Sequence, residues 1–144
     1  MKVLLFENRE QLLSTYSLIK ELYNGALSYE KYEAMLVKMI PNNYRQIALF
    51  EDDNLVAVSG FWINTKLYTD TYLEIDNFIV DEKYRGKRIG EMLINELENI
   101  AIKHEANAIV LDAFATNYKA HKFYYNQGYV AKGFHFVKFL NDEL

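Results

Sequence analysis

Cysteine is absent from this chain of 144 residues, and its three histidines are scattered along the sequence. The lack of cysteine excludes a disulfide scaffold, a cysteine nucleophile and a thiolate metal site. The histidines do not show the spacing that metal ligands require. We therefore expect no metal in this protein.

Long apolar runs are also lacking. No stretch approaches the roughly 18 apolar residues that a membrane-spanning helix needs. The apolar run near the N-terminus, residues 3–6, is too short for the hydrophobic region of a signal peptide. We therefore expect a soluble cytoplasmic protein that has no membrane partner.

Basic residues are not in excess either, as the formal net charge of −4 shows. Non-specific nucleic-acid binders usually carry a basic field, so we expect no nucleic-acid partner. There is no internal repeat, low-complexity segment or linker. The composition is 51% hydrophobic, with 12 Tyr and 9 Phe. These features predict one compact domain over residues 1–144.

Hydrophobic periodicity predicts the element order β-α-α-β-β-β-α-β-α-β-β. Asn8 and Gln11 have the spacing of a capping box at the start of the first helix. Ser28 starts the second helix, and Pro41 ends it. Strands are predicted over residues 3–6, 46–51, 55–62, 71–80, 108–113, 129–131 and 134–140. This order indicates an α/β or α+β fold with a partly antiparallel sheet.

The strand over residues 71–80 alternates with period two. One face carries Tyr72, Glu74, Asp76, Phe78 and Val80, and the other carries Leu73, Ile75, Asn77 and Ile79. Two acidic residues on one face are unexpected if that face is buried. The helix after this strand and the strand over residues 108–113 should complete a right-handed parallel crossover.

A glycine-containing basic loop joins this strand to the long helix and reads Arg85-Gly86-Lys87-Arg88-Ile89-Gly90. The start of a helix presents unpaired N–H groups and the positive end of the helix dipole, which suit a pyrophosphate. Neither G-x-x-x-x-G-K-[ST] nor G-x-G-x-x-G is present. The alternative interpretation is a surface turn with a basic cap.

This loop resembles the coenzyme A loop of the GNAT N-acetyltransferase superfamily, whose pattern is R/Q-x-x-G-x-G/A. Arg85 and Gly90 match the pattern, whereas Arg88 stands where the middle glycine is usual. The resemblance implies that the loop holds the diphosphate of acetyl-CoA. It further implies that main-chain groups of the preceding strand hold the pantetheine arm, here at Phe78, Ile79 and Val80.

A second segment, residues 117–129, resembles the family's N-x-x-A-x-x-F-Y-x-x-x-G-[FY] helix at every named position. Asn117 and Tyr124 lie about two turns apart on one helical face. Asn117 could cap the helix or bind the pantetheine amides. The resemblance implies that Tyr124 lies near the thioester sulfur, where a phenol can protonate the departing thiolate. The alternative is that Tyr124 is one of many packing aromatics.

An alkylammonium must lose a proton before it can attack, so acetyl transfer needs a base or an amine with a lowered pKa. Glu74 and Asp76 are the candidates, because they share a face of the strand that leads into the loop. A clustered acidic pair can raise one pKa. The pair could instead bind a cationic substrate, or simply be two surface acids.

The resemblance implies a GNAT fold, a mixed and mostly antiparallel sheet of six to seven strands flanked by helices on both faces. It implies transfer of an acetyl group from acetyl-CoA to a primary amine of a small molecule by direct attack in a ternary complex. No G-x-S-x-G elbow suggests an acyl-enzyme. The alternatives are acetylation of a peptide or protein N-terminus or lysine, and a non-catalytic CoA-binding sensor. A homodimer is compatible with all three.

Overall fold

A computed structural model describes residues 1–141. The chain divides into a first unit, Met1–Leu111, and a second unit that begins at Asp112. The strands of the first unit are β1 (Lys2–Phe6), β2 (Tyr44–Glu51), β3 (Asn54–Lys66), β4 (Asp70–Val80) and β5 (Ala108–Leu111). Its helices are α1 (Arg9–Leu13), α2 (Tyr16–Ile19), α3 (Tyr29–Met39) and α4 (Ile89–Lys103), and the second unit contains α5 (Tyr118–Asn126).

Within residues 1–141 the strands form one five-stranded sheet in the order β1-β2-β3-β4-β5. The pairs from β1 to β4 are antiparallel, and β5 pairs with β4 in parallel. The long helix α4 connects the two parallel strands. The mixed, mostly antiparallel sheet expected from the sequence is therefore confirmed.

Both faces of the sheet contribute to the core. Ala48 and Val58 lie opposite each other on β2 and β3, and they belong to the cluster that Leu12, Ile19 and Leu36 of α1 to α3 form on that face. On the opposite face, the alternate strand residues are also almost fully buried; they include Ile47, Leu49, Phe61 and Leu73. Helix α4 packs on β3, β4 and β5. The sheet thus carries helices on both faces, as expected.

The predicted helix starts are confirmed by their caps. The side chains of Asn8 and Gln11 form a reciprocal capping box at α1. Ser28 Oγ accepts a hydrogen bond of 3.1 Å from the Lys31 N–H at the start of α3. The α3 helix ends at Met39, and a 3₁₀ turn that contains Pro41 follows it. The first predicted helix is instead divided into α1, α2 and a 3₁₀ turn over Lys20–Tyr23.

A β-bulge interrupts β4. Gly60 pairs with Asp76 and Val58 pairs with Ile79, so two residues of β4, Asn77 and Phe78, stand opposite one residue of β3. Asn77 has a φ of 54°, in the left-handed region. The predicted alternation along this strand is therefore wrong after Asp76. The extra residue shifts the period, and Ile79 lies on the same face as Asp76.

The two final strands, predicted over residues 129–131 and 134–140, are not formed. A strand needs a neighbour that completes its hydrogen-bond ladder, and the alternation in the sequence does not reveal whether one is available. Residues 129–141 have no regular secondary structure, and Phe134, Phe136 and Leu140 are 89%, 91% and 93% exposed. The sheet of the described chain consequently has five strands rather than six or seven.

The bulge depends on a close approach of backbone and side chain at Gly60. A Cβ at this position would overlap the Tyr44 hydroxyl and would lie 2.8 Å from the Asp76 carbonyl oxygen. We expect Gly60→Ala to lower the free energy of unfolding by about 1–3 kcal/mol, because it overpacks a buried site. Urea denaturation measures this change.

Gly133→Ala is the matched control for this prediction. In the described part of the chain, a Cβ at Gly133 would meet no atom within 4 Å. We expect this variant to unfold at nearly the wild-type urea concentration. Equal stability of the two variants would contradict the packing account of Gly60.

Candidate functional site

The loop after β4 is anchored to the last residue of that strand. Arg85 Nε donates a hydrogen bond of 3.2 Å to the Val80 carbonyl. Between them, residues Glu82–Tyr84 form a 3₁₀ turn that begins where Asp81 Oδ1 accepts a 2.9 Å bond from the Lys83 N–H. Arg85 therefore fixes the entry of the chain into the loop.

Helix α4 begins directly from this loop, with Arg88 as its N-cap. Within residues 1–141, the Arg88 side chain makes no capping hydrogen bond to the first turn of the helix. The amide groups at Ile89 and Gly90 are therefore among those available to an external acceptor. The exposed Lys87 and Arg88 add positive charge beside the helix start. This arrangement fits a diphosphate.

The backbone of the loop explains why glycine is usual at the position of Arg88. Arg88 has a φ of 61° and Gly86 a φ of 80°, both in the left-handed region that glycine adopts without steric cost. Arg88 adopts the glycine conformation although it has a side chain. Arg88 therefore has a backbone conformation that a glycine could adopt at the same position without steric cost.

In the second unit, Asn117 is the N-cap of α5. Its Oδ1 accepts a hydrogen bond of 3.2 Å from the Ala120 N–H. Of the two roles that the sequence leaves open, the structure contains the capping role. The bond uses the side-chain oxygen, so the Nδ2 group is the part that could donate to a ligand.

Tyr124 is half-buried on α5. Its ring packs edge-on against Phe123 and Tyr129, with centroid distances of 5.1 and 5.6 Å. Burial, and to a smaller extent Tyr129, raises the pKa of Tyr124 above that of an exposed tyrosine. The phenol is therefore protonated at neutral pH, which is the state a proton donor requires.

Glu74 and Asp76 lie on the same face of β4, before the bulge, and both are half-buried. Glu74 stands opposite Trp62 of β3 and Val110 of β5. The indole Nε1 of Trp62 donates a hydrogen bond of 3.0 Å to Asp76 Oδ2. The structure therefore brings the two carboxylates together on one face, with Asp76 oriented by a tryptophan.

A set of polar side chains surrounds Asn77, next to Asp76, and the sequence alone did not reveal it. Tyr44 Oη donates a bond of 2.8 Å to Asn77 Oδ1, and Asn77 Nδ2 donates one of 2.7 Å to Tyr23 Oη. The Trp62 and Tyr44 rings lie 4.9 Å apart. The tyrosine-rich composition gives no signal for this set, because the partners come from distant segments.

The expected pantetheine-binding residues follow the bulge directly. Ile79 is buried, and Phe78 and Val80 are half-buried. The Val80 carbonyl already accepts the bond from Arg85. Binding of pantetheine by the main chain of this segment stays a prediction. The Val80 carbonyl oxygen would then serve both pantetheine and Arg85.

Comparison with known proteins identifies the family. The model of the acetyltransferase (GNAT) family matches residues 11–129. The chain belongs to this family, and it is an acetyl-CoA-dependent N-acetyltransferase.

One curated relative is an aminoalkylphosphonate N-acetyltransferase of Salmonella typhimurium. It is 28% identical over 130 residues, which cover 88% of this chain and 84% of the relative.

Solved structures show the same fold. A ribosomal-protein-alanine N-acetyltransferase from Brucella melitensis matches with a TM-score of 0.82 at 19% identity, covering 97% of this chain and 100% of its own. An aminoglycoside acetyltransferase from an uncultured soil metagenomic sample, in complex with trehalose, also has a TM-score of 0.82, at 15% identity. That match covers 97% of this chain and 96% of its own.

Residues 1–141 lack two other features. None of the helices there combines the length and the apolar character needed to span a membrane. In the same residues, no group of three or more His, Asp or Glu side chains is placed to hold a metal ion.

The left-handed backbone at Arg88 gives a testable prediction. We expect Arg88→Gly to raise the free energy of unfolding by roughly 0.5–1 kcal/mol, because glycine removes the steric cost of a positive φ. Lys87→Gly is the control, since it removes the same charge from a neighbouring residue whose φ is not positive. Chemical denaturation should show the control to be less stable than wild type. A destabilised Arg88→Gly variant would contradict the account.

Proposed function

We propose that the enzyme transfers the acetyl group of acetyl-CoA to a primary amine of a small molecule by direct attack in a ternary complex. The observation that carries the small-amine proposal is the half-buried Asp76 carboxylate, which accepts a hydrogen bond from Trp62, whose ring packs 4.9 Å from that of Tyr44. A carboxylate among aromatic rings suits an alkylammonium, because both attract a cation. The curated relative, which is named for aminoalkylphosphonate substrates, supports a small amine as the acceptor.

In this proposal the loop and the start of α4 hold the diphosphate of acetyl-CoA. Main-chain N–H groups of the segment from Gly86 to Gly90 bind its oxygens, and Lys87 and Arg88 supply charge. Arg85 acts through its bond to Val80 by fixing the loop. The cofactor contacts proposed outside the loop are main-chain groups of Phe78, Ile79 and Val80, and the amide of Asn117.

Acetyl-CoA supplies an acetyl group that is activated as a thioester. Asp76 or Glu74 accepts the ammonium proton, directly or through water, and so frees the nitrogen lone pair. The new bond forms between this nitrogen and the acetyl carbon as the carbon–sulfur bond breaks. Tyr124 gives its phenolic proton to the departing sulfur, and the second proton that the nitrogen loses as the amide forms restores the phenol, directly or through water.

A peptide or protein N-terminus or lysine is the other class of acceptor. The ribosomal-protein-alanine acetyltransferase shares only the fold at 19% identity, so it does not favour this class. The non-catalytic sensor is set aside, because the chain belongs to an enzyme family.

We further propose that residues 1–144 act as one domain, since the family match extends across both units. A homodimer and a cytoplasmic location stay predictions from the sequence.

The proposal is tested by thiol release from acetyl-CoA with a panel of alkylamines, amino alcohols, aminoalkylphosphonates, aminoglycosides and peptides. We expect Tyr124→Phe to lower kcat by about 10²-fold or more, as expected for loss of a general acid. Its KM for acetyl-CoA should change little, because the ring remains. Tyr125→Phe, on the same helix and 57% exposed, is the matched control and should behave as wild type.

Two results would count against the proposal. Turnover of Tyr124→Phe equal to that of Tyr125→Phe would remove the general-acid role of Tyr124. Turnover with peptides alone would show that the acceptor is a polypeptide and not a small amine.

A further inference from the structure

A chain of hydrogen bonds runs from the buried core of the first unit to a partly exposed tyrosine. It begins at Gln46, which is 0% exposed. Gln46 Nε2 donates one hydrogen to Tyr32 Oη at 2.8 Å and the other to Tyr44 Oη at 3.0 Å. Gln46 Oε1 accepts a bond of 2.8 Å from the Thr15 hydroxyl. All the polar groups of this buried amide are therefore satisfied.

The direction of the chain is fixed by this arrangement. Tyr44 receives a hydrogen from Gln46, so its own hydrogen is donated to Asn77 Oδ1, at 2.8 Å. If Gln46 were turned over, its oxygen would face both tyrosines. One of its amide hydrogens would then lack an acceptor among these partners, which is unfavourable in a buried site. The orientation of Asn77 follows from that of Gln46.

The chain ends at Tyr23, in the 3₁₀ turn that follows α2. Asn77 Nδ2 donates to Tyr23 Oη at 2.7 Å. The oxygen of Tyr23 is thus used as an acceptor, which leaves its hydroxyl hydrogen for another partner. Tyr23 as a whole residue is 43% exposed, so a ligand can approach this side chain.

The end of the chain lies next to the proposed amine-binding carboxylate, because Asn77 follows Asp76 in β4. Burial, and to a smaller extent the Asp76 carboxylate, raises the pKa of Tyr23. The hydroxyl therefore keeps its proton at neutral pH and is a donor. The negative charge of Asp76 disfavours an anion at this position more than an uncharged oxygen, so the uncharged oxygen is the better partner for the Tyr23 hydroxyl.

We propose that Tyr23 determines specificity by donating a hydrogen bond to an uncharged oxygen, such as a hydroxyl, that the acceptor molecule carries near its amine. This inference rests on the proposed function, because it assigns to the same site the recognition of the amine through Asp76. The substrate class it names is an amino alcohol, including amino sugars.

The test compares two amines of equal length, 3-amino-1-propanol and n-butylamine, in which a methyl group replaces the hydroxyl. Wild type should acetylate the amino alcohol with a kcat/KM roughly tenfold higher, the scale expected of one directional hydrogen bond. Tyr23→Phe should remove this preference by lowering kcat/KM for the amino alcohol alone. Tyr29→Phe, a control that is 44% exposed, should keep the preference.

Calorimetric binding of the same two amines to the same proteins separates this inference from the proposed function. If Tyr23→Phe no longer binds the amino alcohol more tightly than n-butylamine, the inference is supported. This holds even if no protein releases thiol from acetyl-CoA. Such a lack of thiol release would contradict the proposed function alone. If the two amines had equal kcat/KM values in wild type and also in Tyr23→Phe, the inference alone would be overturned. A third amine, 2-aminoethylphosphonate, tests the charge. If Tyr23→Phe lowered kcat/KM for this amine more than for the amino alcohol, Tyr23 would bind an anion, and the assignment would be overturned.

Discussion

The left-handed backbone of Asn77 in β4 is the constraint on which the candidate site depends. The register with β3 shifts there, and the strand after the bulge presents a different face. The Asn77 side chain is held from two sides, by Tyr44 and by Tyr23, while Gly60 leaves room for Tyr44. Because non-glycine residues rarely adopt this conformation, the surrounding contacts must stabilise it.

The bulge connects the two halves of the proposed chemistry within the first unit. Before it, β4 carries Asp76, which a tryptophan orients for an amine. After it, β4 ends at Val80, and the bond from Arg85 to this residue leads the chain into the start of α4. One distorted strand therefore links the carboxylate of the acceptor side to the helix start that suits the diphosphate of acetyl-CoA.

Local signals predicted much of the fold. The Asn8 and Ser28 caps, and the glycine-containing loop between strand and helix, are features of a few neighbouring residues, and the structure contains them. The bulge could not be predicted, because Asn77 stands in a regular alternating pattern. The bond from Trp62 to Asp76 depends on the register of two strands, which only the folded sheet defines. The prediction of two final strands was wrong, because strand pairing depends on a neighbouring strand and is not a local property.

The most direct test of the account is a crystal structure of the protein with acetyl-CoA bound. We expect its diphosphate to lie on the main-chain N–H groups between Gly86 and Gly90. In the same crystal, Asn77 should keep a positive φ and its bonds to Tyr44 and Tyr23. A diphosphate bound away from the start of α4, or a regular β4 without the bulge, would contradict the account.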